Sequence, residues 1–190
     1  MSKIKLGVLG STKGTDLQTI IDAIDNGKLN AIVEIVISNV PDAYILTRAK
    51  NNGISHHYLS HINKNREDFD DEISELLKKS NVDLVLLIGF MRILSSKFCT
   101  EWKDRVINVH PSLLPKYAGG MDTNVYEEVL KNGDKETGCT IHFVTDTVDS
   151  GPILIQKKCT VSNNETTQSL KSKVQKLEGQ AFIEAINTFI

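Results

Sequence analysis

The sequence predicts an α/β fold: a mostly parallel sheet flanked by helices, with an antiparallel strand pair late in the chain. Three observations predict it. Strand-like and helix-like hydrophobic patterns alternate from residue 4 to residue 88. The segments AIVEIVI (31–37) and LVLLI (84–88) are apolar almost without interruption and rich in Val, Ile and Leu, as strands covered on both faces must be. A glycine-bounded turn at 10–14 links the first strand to the first helix. Together these describe a Rossmann-like arrangement.

Residues 4–9 form the first short apolar strand. After the turn, Thr15 or Asp16 can cap a helix whose apolar face is Leu17, Ile20, Ile21 and Ile24. Residues 31–37 make the second strand, and Pro41 and Asp42 open a helix that runs through Lys50. A short strand is expected at 55–59. A charged amphipathic helix follows at 65–79, with Phe69, Ile73, Leu76 and Leu77 on one face. The buried strand at 84–88 is followed by strands at 106–110, 138–144 and 153–160, the last two as the antiparallel pair. A long helix closes the chain at 167–189, with Leu170, Val174, Leu177, Ala181, Ile186 and Phe189 at apolar positions. No repeat or low-complexity linker divides the chain, so residues 1–190 are read as a single domain.

Composition narrows the function. With 40% hydrophobic and 24% charged residues, the chain has the make-up of a globular protein with its own core. Twenty-two Lys and Arg against 24 Asp and Glu give a net charge of −2, which argues against a broad grip on nucleic acid or an anionic membrane. The longest apolar run, 84–91, falls well short of the ~20 residues of a membrane span. The first six residues show no signal-peptide core. Cys99, Cys139 and Cys159 are odd in number and lack CxxC spacing, so a disulfide framework or zinc knuckle is not expected and a cytoplasmic location is.

In such a sheet, ligands bind beyond the carboxyl ends of the strands. After the first strand come Lys13, Gly14, Thr15 and Asp16 at a helix start, either a phosphate site or a tight turn that binds nothing. The loop matches neither GxxxxGK[ST] nor GxGxxG. After 84–88 comes Gly89-Phe90-Met91-Arg92-Ile93-Leu94, suited to a flat apolar ligand or to core packing. The strand at 106–110 ends in Asn108 and His110, whose i, i+2 spacing sends both side chains to one face. An amide donor beside a titratable imidazole suits acyl-type chemistry, although an isolated His is also often a satisfied core residue. Asp146 and Asp149, in the turn after His142, serve either in Asx turns or as a carboxylate that raises the pKa of His110. A metal site from His110, His142, Asp146 and Asp149 lacks the compact spacing such sites use. No GxSxG or base-paired cysteine supports a hydrolase.

The stretches GFMRIL (89–94), NVHPSLLPKY (108–117) and TIHFVTDTVDSGP (140–152), in this order, resemble the folate-dependent formyltransferase family over nearly the whole chain. The resemblance implies transfer of a formyl group from the co-substrate 10-formyltetrahydrofolate to the amine of glycinamide ribonucleotide, in purine biosynthesis, without a metal. It implies catalytic roles for Asn108, His110 and Asp149. It implies a ribonucleotide site at Lys13, Gly14, Thr15, Asp16 and Gly89, with Gln175 and Glu178 from the last helix. It implies a folate site from Phe90, Met91, Arg92, Ile93 and Leu94, faced by Val144, Thr145, Asp146 and Asp149, with Arg66 at the glutamate tail and Asn108 shared. Both partners are then small molecules, with no nucleic acid or membrane, and a homodimer stays open.

The chain departs from the family pattern at Asp16, where a neutral amide is familiar, and in a longer loop at 118–122. Relatives that formylate tRNA or hydrolyse formylfolate resemble longer chains, and 190 residues leave no room here for their extra domains. A non-catalytic folate- or ribonucleotide-binding module is the rival of a different class. Retention of Asn108, His110 and Asp149 together argues against it.

Overall fold

The computed structural model describes residues 2–120 and 123–190. Met121 and Asp122, the end of the longer loop, lie outside the described residues. In chain order the elements are β1 (Ile4–Leu9), α1 (Thr15–Asp25), β2 (Ala31–Ser38), α2 (Tyr44–Asn51), β3 (Ser55–Tyr58), α3 (Arg66–Lys79) and β4 (Leu84–Leu87). Then follow α4 (Ser96–Glu101), β5 (Val106–His110), α5 (Thr123–Lys131), β6 (Glu136–Phe143), β7 (Ile153–Thr160) and α6 (Thr167–Asn187).

The strands form one sheet in the order β3-β2-β1-β4-β5-β6-β7. Pairing is parallel from β3 through β5 and antiparallel from β5 to β7. The alternation of side chains along β1 explains the two-sided core. Leu6 and Val8 join a cluster with residues of α1, α2, α5 and α6, whereas Leu9 joins Phe69, Ile73 and Leu77 of α3 and Phe98 of α4. The chain leaves β1 toward β2 on one side and returns to its other side at β4. That reversal opens a crevice at the carboxyl ends of β1 and β4.

Several expectations need correction. No side chain caps α1: Gly14 is its N-cap, in a left-handed conformation with φ 64°. A Cβ at Gly14 would lie 2.4 Å from Cγ1 of Ile45, so the loop can pass α2 this closely only as glycine. Residues 41–42 are a turn, and α2 begins later, at Tyr44. Neither α4 nor α5 is among the expected helices; α4 spans six residues, too few for a periodic face, whereas α5 does carry one, at Val125, Tyr126 and Val129. Among the described residues no helix is long and apolar enough to cross a membrane.

Candidate active site

Three loops at the carboxyl ends of β1, β2 and β4 are tied together by Ser11. Its Oγ donates to Asn39 Oδ1 (2.6 Å) and accepts from the N–H of Met91 (2.9 Å), and its own N–H donates to the Gly89 carbonyl (3.0 Å). Gly89, at φ 60°, sits so close to Thr12 that a Cβ would lie 2.4 Å from Thr12 Oγ1. From α2, Arg48 Nε donates to the Lys13 carbonyl (2.7 Å). Lys13 and Thr15 are exposed, while Gly14 and Asp16 are buried. The free N–H groups at the start of α1 therefore open toward solvent beside a lysine, a setting that favours an anion.

Asp16 is only 5% exposed, and burial pushes its carboxyl up to about 7. Glu178, also buried, comes from α6, and Gln175 lies one turn earlier on the same face, half-buried. Both carboxyls bear on one thiol, that of Cys139, which burial raises most, then Glu178, then Asp16. Thus α1 and α6 bring Asp16 and Glu178 to one region.

On the other side of the crevice, Leu94 is buried and anchors its segment, Phe90 is half-buried, and Met91 and Ile93 are 47% and 52% exposed. Two exposed large apolar side chains flanking a crevice suit a flat ligand. Arg92 stacks its guanidinium 4.9 Å from the centre of the Phe69 ring, and its buried Nε has no hydrogen-bond partner among the described residues. Asp70 accepts from the Ser95 N–H (2.6 Å) and so fixes the end of this segment. Burial raises the Asp70 carboxyl, against the pull of Ser95, Arg92 and Arg66. Arg66, exposed at the start of α3, therefore lies on the same side as Arg92.

The opposing loop begins where the Val144 N–H donates to the Val106 carbonyl (2.9 Å). Thr145 Oγ1 and Ser150 Oγ both donate to the Thr147 carbonyl, closing a turn from which Asp146 and Val148 project. Val144 packs against the cluster that holds Leu94 and Phe98, and burial raises the Cys99 thiol on α4 most, followed by the charges of Asp146 and Asp70.

At the centre, β5 supplies Asn108 and His110, and β6 supplies His142, which pairs with Asn108 across the ladder. Asn108 Nδ2 lies 3.1 Å from His142 Nε2. His142 Nδ1 lies 2.9 Å from the Phe143 carbonyl, so in the neutral ring the proton sits on Nδ1 and Nε2 accepts from Asn108, whereas in the charged ring the Nε2–H faces Asp149. Asp149 faces both histidines: Oδ2 is 3.2 Å from His110 Nδ1 and Oδ1 is 3.6 Å from His142 Nε2. Asp149 is itself in the left-handed region, at φ 53°, and accepts from the Gly119 N–H (2.8 Å). Burial raises its carboxyl, but His142, Gly119 and His110 together hold it below its ordinary value.

Two opposed influences act on His110. Asp149 does favour the imidazolium, but burial outweighs it, and the pKa of His110 lies below its ordinary value. In the ligand-free protein the imidazole is mostly neutral at neutral pH. His142 is the central residue that sequence reasoning missed as part of the Asn108 pair. It entered only as a metal-ligand candidate, and among the described residues no group of three or more His, Cys, Asp and Glu is arranged to hold a metal ion. The signal that finds it is the antiparallel register of β6 on β5.

The open α/β sheet, with Asn108 and His110 at the end of β5, is that of a class of group-transferring enzymes. The chain belongs to the formyl transferase family, whose model matches residues 4–186. It is 40% identical, over 97% of its length and 86% of the relative's, to phosphoribosylglycinamide formyltransferase of Haemophilus influenzae. It is 41% identical over 96% of its length to the trifunctional purine biosynthetic protein adenosine-3 of Drosophila melanogaster, and spans 14% of that protein. The solved structure of glycinamide ribonucleotide transformylase 1 from Symbiobacterium toebii superposes with a TM-score of 0.93 at 37% identity, over 98% of this chain and 87% of that one.

Proposed function

We propose that this chain transfers the formyl group of 10-formyltetrahydrofolate to the amine of glycinamide ribonucleotide, giving formylglycinamide ribonucleotide and tetrahydrofolate in purine biosynthesis. The observation that carries the reading is Asn108, His110 and Asp149 gathered around His142 on β5 and β6, in the same sheet whose neighbouring strands β1 and β4 end in an anion-favouring helix start and an exposed apolar strip. The phosphate sits at the N-terminus of α1, at Lys13, Gly14 and Thr15, next to Gly89. Asp16, Gln175 and Glu178 line the ribose side. The folate ring lies along residues 90–94 under the loop 144–149, with Arg66 and Arg92 toward its carboxylate tail.

The amine of the ribonucleotide attacks the formyl carbon, and the formyl oxygen gains negative charge in a tetrahedral intermediate. Asn108 has two amide N–H groups; one meets His142 and the other is left for that oxygen. As charge develops, the imidazolium form of His110 becomes favourable, with Asp149 at 3.2 Å stabilising it. The amine gives up one proton. N10 of the folate takes one as its bond to the formyl carbon breaks. The His110–Asp149 pair carries that proton.

Both substrates are small molecules, and the site residues named here all come from one chain, so a monomer or a homodimer serves equally. The reading sets the enzyme in the reducing cytoplasm, consistent with the unpaired thiols Cys99, Cys139 and Cys159.

The test is a formyl-transfer assay with 10-formyltetrahydrofolate, with and without glycinamide ribonucleotide. Folate turnover that requires the ribonucleotide and yields its formyl derivative supports the proposal; turnover without it indicates hydrolysis instead. Asn108→Ala and His110→Ala should each reduce kcat about 100- to 1000-fold. Near-normal turnover by a folded His110→Ala protein removes the mechanism.

A further inference from the structure

Tyr117 has no part in the chemistry above, yet the structure holds it at both ends. Its backbone is in the left-handed region, at φ 62°, which costs a bulky non-glycine residue roughly 1–2 kcal/mol. Its hydroxyl donates to Asp134 Oδ2 (2.8 Å) and accepts from Asn132 Nδ2 (2.8 Å). Asp134, between α5 and β6, also takes both of its oxygens to Lys116 Nζ, at 2.6 and 2.7 Å. Burial pushes the Asp134 carboxyl up, but Lys116 and Tyr117 outweigh it and hold it below the ordinary range, so it stays an anionic acceptor. The main chain beside it is pinned as well, because Ser112 Oγ donates to the Lys116 carbonyl (2.5 Å).

The other end of Tyr117 reaches the site. Its carbonyl lies 3.0 Å from His110 Nε2, while His110 Nδ1 faces Asp149 Oδ2 at 3.2 Å. Each ring nitrogen therefore meets an oxygen that can only accept. A neutral imidazole has one N–H and satisfies one of the two; the imidazolium satisfies both. Among the described residues, the remaining titratable neighbour of His110 is His142, on β6.

We propose that Tyr117, tethered through its hydroxyl to Asp134, is a positioning residue for His110: its main-chain carbonyl takes the Nε2–H bond and keeps Nδ1 aimed at Asp149. The tether matters because a left-handed tyrosine in a loop would otherwise relax and swing its carbonyl away. Loss of that acceptor withdraws one of the two bonds that only the imidazolium makes in full. The kinetic part of this inference rests on the formyl-transfer reading; the structural part does not.

The experiment is an NMR titration of the His110 imidazole in the ligand-free protein, for the wild type, Tyr117→Phe, Asp134→Ala and Asp134→Asn. Tyr117→Phe and Asp134→Ala should each lower the His110 pKa by roughly 0.5–1 unit, since a hydrogen bond to the charged form favours that form. Their double variant should shift it no further than either alone, because both cut one chain of contacts. Asp134→Asn keeps an oxygen for the tyrosine hydroxyl and should titrate close to the wild type. In the transfer assay the pH profile of kcat/KM should move in the same direction, with KM for the ribonucleotide unchanged. An unmoved His110 titration in folded Tyr117→Phe and Asp134→Ala overturns the proposal, even if activity or Tm falls. Failure of the wild type to transfer formyl would instead sink the proposed function and leave the titration result standing.

Discussion

Burial decides the electrostatics of His110 and Asp16, and in each case a sign can be tested. Asp149 supports the protonated His110 against burial. Asp149→Asn should therefore lower the His110 pKa further and move the pH limb that reports it to lower pH; an unmoved limb severs the coupling. Asp16 has the opposite problem, since its carboxyl rises from 3.8 to about 7 in the folded protein. Between those values the folded state holds a proton that the unfolded state has released, so stability falls as pH rises through that window. Asp16→Asn removes this penalty. Its stability advantage over the wild type should widen between about pH 5 and about pH 8, to a few kcal/mol at most. Urea unfolding at both pH values measures it, and a gap that does not change with pH refutes it. At this scale the sequence is partly legible. Asn108 and His110 share a face because a strand alternates with period two, which needs no structure. His142 could not be paired with Asn108 without the register of β6, and no sequence pattern states how deeply Asp16 or His110 is buried.

Strands reveal themselves more readily than short helices. The expected bounds of β1, β5 and β7 coincide with the observed ones, because continuous or alternating apolar runs end abruptly at Gly, Pro or polar turns. The six-residue helix α4 rests on tertiary packing of Phe98 and Cys99 and leaves little periodic trace, whereas α5 shows its apolar face in the sequence at Val125, Tyr126 and Val129 but only over nine residues. The link from α3 to the apolar strip was equally hidden, since it runs through one buried carboxylate. Asp70 holds the Ser95 N–H and lies near Arg66 and Arg92. Asp70→Ala should leave that N–H unpaired, at a cost of about 1–3 kcal/mol, and loosen residues 89–94. We expect a raised KM for the folate with KM for the ribonucleotide unchanged. Equal rises in both constants would mean a general loss of structure.

The whole molecule is a sheet between two apolar layers, and the layers differ in what they support. Phe182 of α6 and Phe69 of α3 are both fully buried, one in each layer. Removing either ring should cost about 3–5 kcal/mol. Only the Phe69 ring also carries the Arg92 guanidinium. At a temperature where both variants remain folded, Phe69→Ala should raise KM for the folate and Phe182→Ala should not. Thermal unfolding followed by steady-state kinetics separates the two, and equal kinetic effects would argue against the assignment. The layered fold itself follows from hydrophobic patterning. The placement proposed for two different ligands on it does not, because it depends on where the strand order reverses.

Thr12 and Gly89 belong to loops far apart in the chain, yet no side chain fits at residue 89 while Thr12 holds its place. Ser11 stitches the same two loops to the Asn39 turn. For anyone exchanging parts between relatives, these loops are a single exchangeable unit. A graft that carries one loop without its mate would import a collision and an orphaned hydroxyl, whereas moving both together with Asn39 preserves the fit.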